Sequence, residues 1–153
     1  MFLWSLFAIL IIIFDQLTKF FVVQNITLNS EVILVIPKIV SFVNVHNPGA
    51  AFSILQGKIE LLSCISLLFS VGVLWYMIIK KPKNKVLRIS IMLLFAGAIG
   101  NVIDRIFRGY VVDFIKVLFI NFPVFNLADI AITCGAILLI VYILFLDNKK
   151  EQL

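Results

Sequence analysis

Four stretches of the chain, at about residues 2–23, 59–79, 86–107 and 126–146, are each long and apolar enough to cross a bilayer. A helix needs about 20 mainly apolar residues to span the hydrocarbon core. Inside lipid every backbone polar group has to find its partner within the segment, which leaves helices as the solution for stretches of this length. The expected fold is an α-helical polytopic membrane protein with four transmembrane helices, and residues 1–153 form a single membrane-embedded domain. Composition agrees: 63% of residues are hydrophobic and 14% charged, where soluble domains run at about half and a quarter. The four stretches are not repeats of one another. The first, MFLWSLFAILIIIF, has no basic leader or small-residue cleavage site, and its apolar character resumes after DQLTK. It is read as a retained helix and not a secretory signal.

The net charge of +5 is unevenly placed. Lys80, Lys81, Lys83, Lys85 and Arg88 fall in one run, KKPKNKVLR, with no acid among them, between the second and third spans. That is the signature of a cytoplasmic loop, and nothing resembles a basic patch interleaved with stacking aromatics, so no nucleic-acid partner is expected. The C-terminal tail adds Lys149 and Lys150, whereas the first loop (24–58) has only Lys38 and Lys58 and the third only Arg108 and Lys116. Both termini are therefore expected in the cytoplasm, with the first and third loops outside. Cys64 and Cys134 sit in apolar runs and read as small buried hydrophobes, not as a disulfide or metal pair.

The first loop is more than a connection. EVILVIPKIVSFVNVHN (31–47) is rich in β-branched residues and partly alternates, which predicts two or three short strands forming a small extracytoplasmic β-sheet. Pro37 is expected to break or edge that sheet.

With the orientation set, the polar residues gather at one boundary. Asn101, Asp104 and Arg105 end the third span, Asn126 and Asp129 open the fourth, Asp113 lies between them and Asn47 closes the first loop. Carboxylates at such a depth are functional candidates by default, but several of these residues also have structural readings. Asn126 fits an N-cap with Asp129 completing a capping box. Asp104 and Arg105 fit pairing with other polar groups, and Asp15 and Lys19 fit an i,i+4 ion pair. AGAIG (96–100) fits close helix contact, Gly109 a turn, and His46 an interfacial polar residue. Asp113, in an extended apolar stretch, has no such reason to be there.

Two carboxylates held side by side share one proton and titrate as a unit. One can then deprotonate water while the other donates to a carbonyl oxygen, which hydrolyses a peptide bond without a metal or a nucleophilic side chain. The single histidine and the lack of an H-E-x-x-H motif or a zinc-ligand cluster leave a hydrolase here dependent on its aspartates. On the residues alone two other classes stay open, a small proton- or ion-coupled carrier and a non-catalytic membrane scaffold. The acids cluster at one boundary, where a carrier path needs them spread across the membrane.

NPGAAF (47–52), GNVIDR (100–105), GYVVDF (109–114) and FNLAD (125–129), together with DQLTK (15–19), resemble in order the motif blocks of bacterial lipoprotein signal peptidase, signal peptidase II. The resemblance covers nearly the whole chain. It implies an aspartyl endopeptidase of the bacterial cytoplasmic membrane that removes signal peptides from diacylglyceryl-modified prolipoproteins, cutting N-terminal to the lipidated cysteine. It further implies that Asp113 and Asp129 are the catalytic dyad. Asn47, Gly49, Ala50, Ala51, Phe52, Asn101, Asp104, Arg105, Asn126 and Ala128 would bind substrate or support the pocket, with Asp15, Lys19 and Gly109 in structural roles. The implied setting is a monomer among membrane lipids, with its active site at the extracytoplasmic face, no metal or organic cofactor, and globomycin as an inhibitor that occupies the dyad. One departure is Lys38, which follows the loop proline where the family often has glycine.

Overall fold

The chain crosses the bilayer four times. The structure, a computed structural model, describes residues 2–29, 33–49 and 57–147. Its helices are α1 (Phe2–Asn25), α2 (Ile59–Lys80), α3 (Lys85–Arg108) and α4 (Leu127–Val141), the last continued by a π-helical segment, Tyr142–Asp147. Each helix, α4 with its extension, is long and apolar enough to cross a membrane, within a few residues of the spans read from sequence. Asn84 caps α3 by accepting from the Val86 and Leu87 amides at 2.8 and 3.2 Å.

The centre of the bundle is α3. In its most apolar window 61% of residues are buried, against 22% or fewer in the other three helices. Small residues explain why. A methyl group at Gly97 would run into the Ala128 carbonyl oxygen and stand 2.7 Å from Ile132 Cγ1, and one at Gly100 would stand 2.7 Å from the Asp15 carboxylate. The AGAIG run therefore brings α4 and α1 against α3, as its spacing suggested.

The helices around α3 each pack through a narrow stripe and turn the rest of their apolar surface outward, toward lipid. This corrects the expected burial of the cysteines: Cys64 on α2 and Cys134 on α4 are free thiols, and both are exposed.

A three-stranded antiparallel sheet closes one end of the bundle, in the order β1 (Ile33–Ile36), β2 (Val40–Asn47), β3 (Val111–Val117). The first loop supplies two strands. The third comes from the α3–α4 connection, which the sequence showed as an extended piece without showing its partner. Pro37 sits in the β1–β2 turn, outside both strands. Lys38 beside it adopts φ 64°, the left-handed conformation that glycine tolerates best. Gly109, at φ 76°, ends α3 in the same conformation, with its amide donating to the Arg105 carbonyl. The chain thereby turns straight into β3, and Asp113 pairs across the sheet with Val45.

Two apolar clusters hold the molecule. Ala8, Met77, Leu87, Ile91, Met92, Ala96 and Tyr142 form one within the bundle, and Val22, Ile26, Val112 and Phe114 form the other beneath the sheet. Between them, by position along α1 and α3, lies a buried polar layer of Asp15, Lys19, Asn101, Asp104 and Asn126.

Candidate active site

The first turn of α4 and the third strand meet through one asparagine. Asn126 is the N-cap of α4: its Oδ1 accepts from the Asp129 amide at 3.0 Å, and the Asp129 carboxylate accepts from the Asn126 amide at 3.1 Å. The capping box read from the sequence is thus complete. It leaves the Asn126 side-chain NH2 free to face β3, where it donates to Asp113 Oδ1 at 2.7 Å. The other oxygen of Asp113 accepts from Asn47 Nδ2 at 2.8 Å, and Asn47 is itself oriented by the Gly49 amide, which donates to its Oδ1 at 2.9 Å.

Asp129 is held from the α3 side. Asn101 Nδ2 donates to its Oδ1 at 2.9 Å, so all four oxygens of the two aspartates receive an N–H. One turn further along α3, the Arg105 guanidinium donates to the Gly49 carbonyl at 3.3 Å and lies within electrostatic reach of both Asp129 and Asp113.

Asp113 is 3% exposed. Burial and then the negative charge of Asp129 push its carboxyl up to about 7, while the donors from Asn47 and Asn126 pull the other way. A carboxyl in that range holds a proton it can give up near neutral pH. His46 stacks on Tyr110 with ring centroids 3.7 Å apart. Burial and the charge of Arg108 lower its affinity for a proton, so it stands neutral beside the site.

Both aspartates open onto a cavity of about 1060 Å³. Asn47, Asn101 and Arg105 line it with them, His46, Ser66 and Thr133 add further polar groups, and the rest of the wall is apolar, with Leu62, Ile65 and Phe69 from α2 and Phe122 and Phe125 from the β3–α4 connection. The α2 wall and the Phe122 and Phe125 wall were not found by sequence reasoning, because apolar side chains facing a cavity look the same in sequence as those facing lipid.

Other candidate residues lie behind this surface. Asp104 is fully buried, paired with Lys19 at 3.0 Å and Arg108 at 3.3 Å, and accepts from the Val112 amide. Asp15 pairs with Lys19 at 2.9 Å and accepts from the Ala128 amide. Ala128 itself is fully buried. These residues hold α1, α3, β3 and α4 together, and Gly109 makes the turn. Ala50, Ala51 and Phe52 lie outside the described residues.

The chain as a whole is similar to known proteins. Residues 7–145 match the family model described as signal peptidase (SPase) II. The chain is 38% identical over 147 residues to a lipoprotein signal peptidase of Lactobacillus johnsonii, covering 96% of this chain and 95% of that one. It is also 38% identical over 150 residues to a lipoprotein signal peptidase of Staphylococcus aureus, covering 96% and 91%. Among solved structures it resembles a bacterial membrane enzyme determined in meso at 2.3 Å, with a TM-score of 0.89 and 36% identity over 94% of this chain and 88% of that one. A second, at 1.9 Å, gives a TM-score of 0.86 and 35% identity over 95% and 94%.

Proposed function

The chain belongs to the signal peptidase II family, and from that premise we propose that it removes signal peptides from lipoprotein precursors by aspartyl catalysis at Asp113 and Asp129. The observation that carries this reading is the Asn126 bridge, which ties both carboxylates into one network at the wall of one cavity.

The chemistry follows from how the two groups are held. Asp113 carries the shared proton at rest, consistent with its carboxyl being pushed up to about 7. Asp129 sits in the first turn of α4, where the helix dipole favours a negative charge, and serves as the base. A water in the cavity gives a proton to Asp129 while its oxygen attacks the scissile carbonyl carbon, and Asp113 protonates the carbonyl oxygen. The tetrahedral diol then breaks its C–N bond: Asp129 passes its proton to the leaving amine, and Asp113 recovers one from the diol hydroxyl. The dyad ends as it began, and one water has been consumed.

We assign the substrate as a diacylglyceryl-modified prolipoprotein, cut N-terminal to its lipidated cysteine. The apolar cavity wall suits the signal helix and acyl chains, and the polar wall of Asn47, Asn101 and Arg105 suits the peptide backbone. We further assign the site to the extracytoplasmic face of the cytoplasmic membrane. The basic run from Lys80 to Arg88 joins α2 to α3 at the opposite end of the bundle from the sheet. The protein is proposed to act as a monomer, and globomycin to compete for the dyad. Purified protein incubated with a lipid-modified precursor, with and without globomycin, tests the reading. Cleavage at the lipidated cysteine that the inhibitor blocks supports it, and an intact precursor contradicts it.

A further inference from the structure

Lys19 is a fully buried ammonium that the reaction as written does not use. It lies 2.9 Å from Asp15 Oδ2 and 3.0 Å from Asp104 Oδ2, so two carboxylates already balance it. Packing alone gives little reason for a cation here, since buried ion pairs are commonly replaceable by apolar side chains without loss of stability. Its third contact points elsewhere: Lys19 Nζ donates to Asn101 Oδ1 at 3.0 Å.

An ammonium has only donors. Asn101 therefore turns its oxygen toward α1, where it also accepts from Asn126 Nδ2 at 3.2 Å, and its NH2 toward Asp129 Oδ1, 2.9 Å away. Asn126 and Asn47 are oriented by the same logic, through the backbone amides of Asp129 and Gly49. Of these three asparagines, Asn101 is the one locked by a side-chain charge. The lock matters once Asp129 has taken the proton from water. Without the ammonium only the longer contact from the neutral Asn126 amide holds that oxygen, and Asn101 can turn over to accept from the protonated carboxyl, which would park that proton against α3, away from the leaving amine.

We propose that Lys19 is a positioning residue for hydrolysis, keeping the Asn101 amide a permanent donor to Asp129 so that the proton Asp129 collects stays on its cavity side. The proposal rests on the peptidase reading above. It also fits the electrostatics, since the Lys19 charge is felt at Asp113 as well.

The test is the isosteric Asn101→Asp in the full-length purified protein, assayed on a diacylglyceryl-modified precursor across pH. The groups in contact with the residue are Lys19 from α1 and Asn126 and Asp129 from α4; Asp104 of α3 lies beyond Lys19, and Arg105 of α3 and Asp113 of β3 line the same cavity. The variant keeps a partner for Lys19 but loses the amide donor. At neutral pH kcat should fall on the order of a hundredfold with KM within about twofold, and activity should return as acid lets the new carboxyl donate again. An unchanged pH profile, or a loss that acid does not recover, overturns the proposal.

A second variant removes the cation without stranding a charge. Lys19→Met with Asp15→Asn leaves Asp104 paired with Arg108, and kcat should again fall while KM holds. An unchanged kcat there overturns the proposal too. Wild-type protein assayed in parallel separates the two levels: failure to cleave at all contradicts the peptidase reading itself.

Discussion

Asn126 and Asp113 are joined by a 2.7 Å hydrogen bond from the side-chain amide to the carboxylate, although one residue caps a transmembrane helix and the other sits in a strand. The cap and the bridge use different atoms. Oδ1 of Asn126 holds the Asp129 amide, and Nδ2 reaches Asp113. The start of α4 and the geometry of the two acids are therefore fixed by the same side chain.

Asn126→Ser separates these roles. Serine caps about as well as asparagine, so the helix start should keep its stability to within about 1 kcal/mol. The donor to Asp113 is lost, and hydrogen bonds to charged groups are worth about 1.5–3 kcal/mol. Cleavage is expected to fall roughly ten- to hundredfold, measured beside thermal unfolding in detergent. An unchanged cleavage rate would mean that the residue acts only as a cap.

The pH dependence has a definite sign. In the proposed mechanism Asp113 gives its proton to the substrate, and it holds that proton only below about 7, so the cleavage rate should decline as pH rises through that value. Asn47 donates to the ionised carboxylate and so favours it. Asn47→Ala is expected to move the alkaline limb to higher pH, and a shift to lower pH would contradict the assignment. Stability carries the same signature. Between the ordinary value of 3.8 and about 7 the native state binds this proton more tightly than the unfolded chain does. Stability should therefore decrease as pH rises across that window, and Asp113→Asn should flatten the slope.

Length and hydropathy made the four spans legible, and the capping box was readable because an N-cap and its third residue are neighbours in sequence. Pairing across the chain was not. The contact of Lys19 with Asp15 is local and was expected, while those with Asp104 and Asn101, more than 80 residues on, depend on how α1 packs against α3. The partner of residues 111–117 in the sheet was hidden for the same reason. Cys64 and Cys134 were misplaced because a four-helix membrane protein turns much of its apolar surface outward. Lys38 shows the opposite case: its departure from the glycine that the resemblance led one to expect left the turn's shape open in sequence, and the residue takes the left-handed conformation.

Gly97 and Gly72 make opposite predictions for one substitution. A side chain at Gly97 meets the Ala128 carbonyl and Ile132, whereas Gly72 has open space around it. Gly97→Ala should destabilise the protein by about 1–3 kcal/mol through overpacking. It should also weaken cleavage, because it pushes α4 and its Asp129 away from Asn101. Gly72→Ala should be neutral or slightly stabilising through helix propensity, by at most about 1 kcal/mol. Unfolding midpoints of the two variants side by side check the packing of α3 against α4.

Asp113 and Asp129 are proposed to hydrolyse a peptide bond together. The most direct measurement is the cleavage rate of a diacylglyceryl-modified precursor by purified Asp113→Asn and Asp129→Asn variants, each verified as folded and membrane-inserted. Both substitutions keep the size of the side chain and remove its ability to exchange a proton. Each should lower the rate by on the order of 10²–10⁴-fold or more. Near-normal processing by either variant would contradict the dyad.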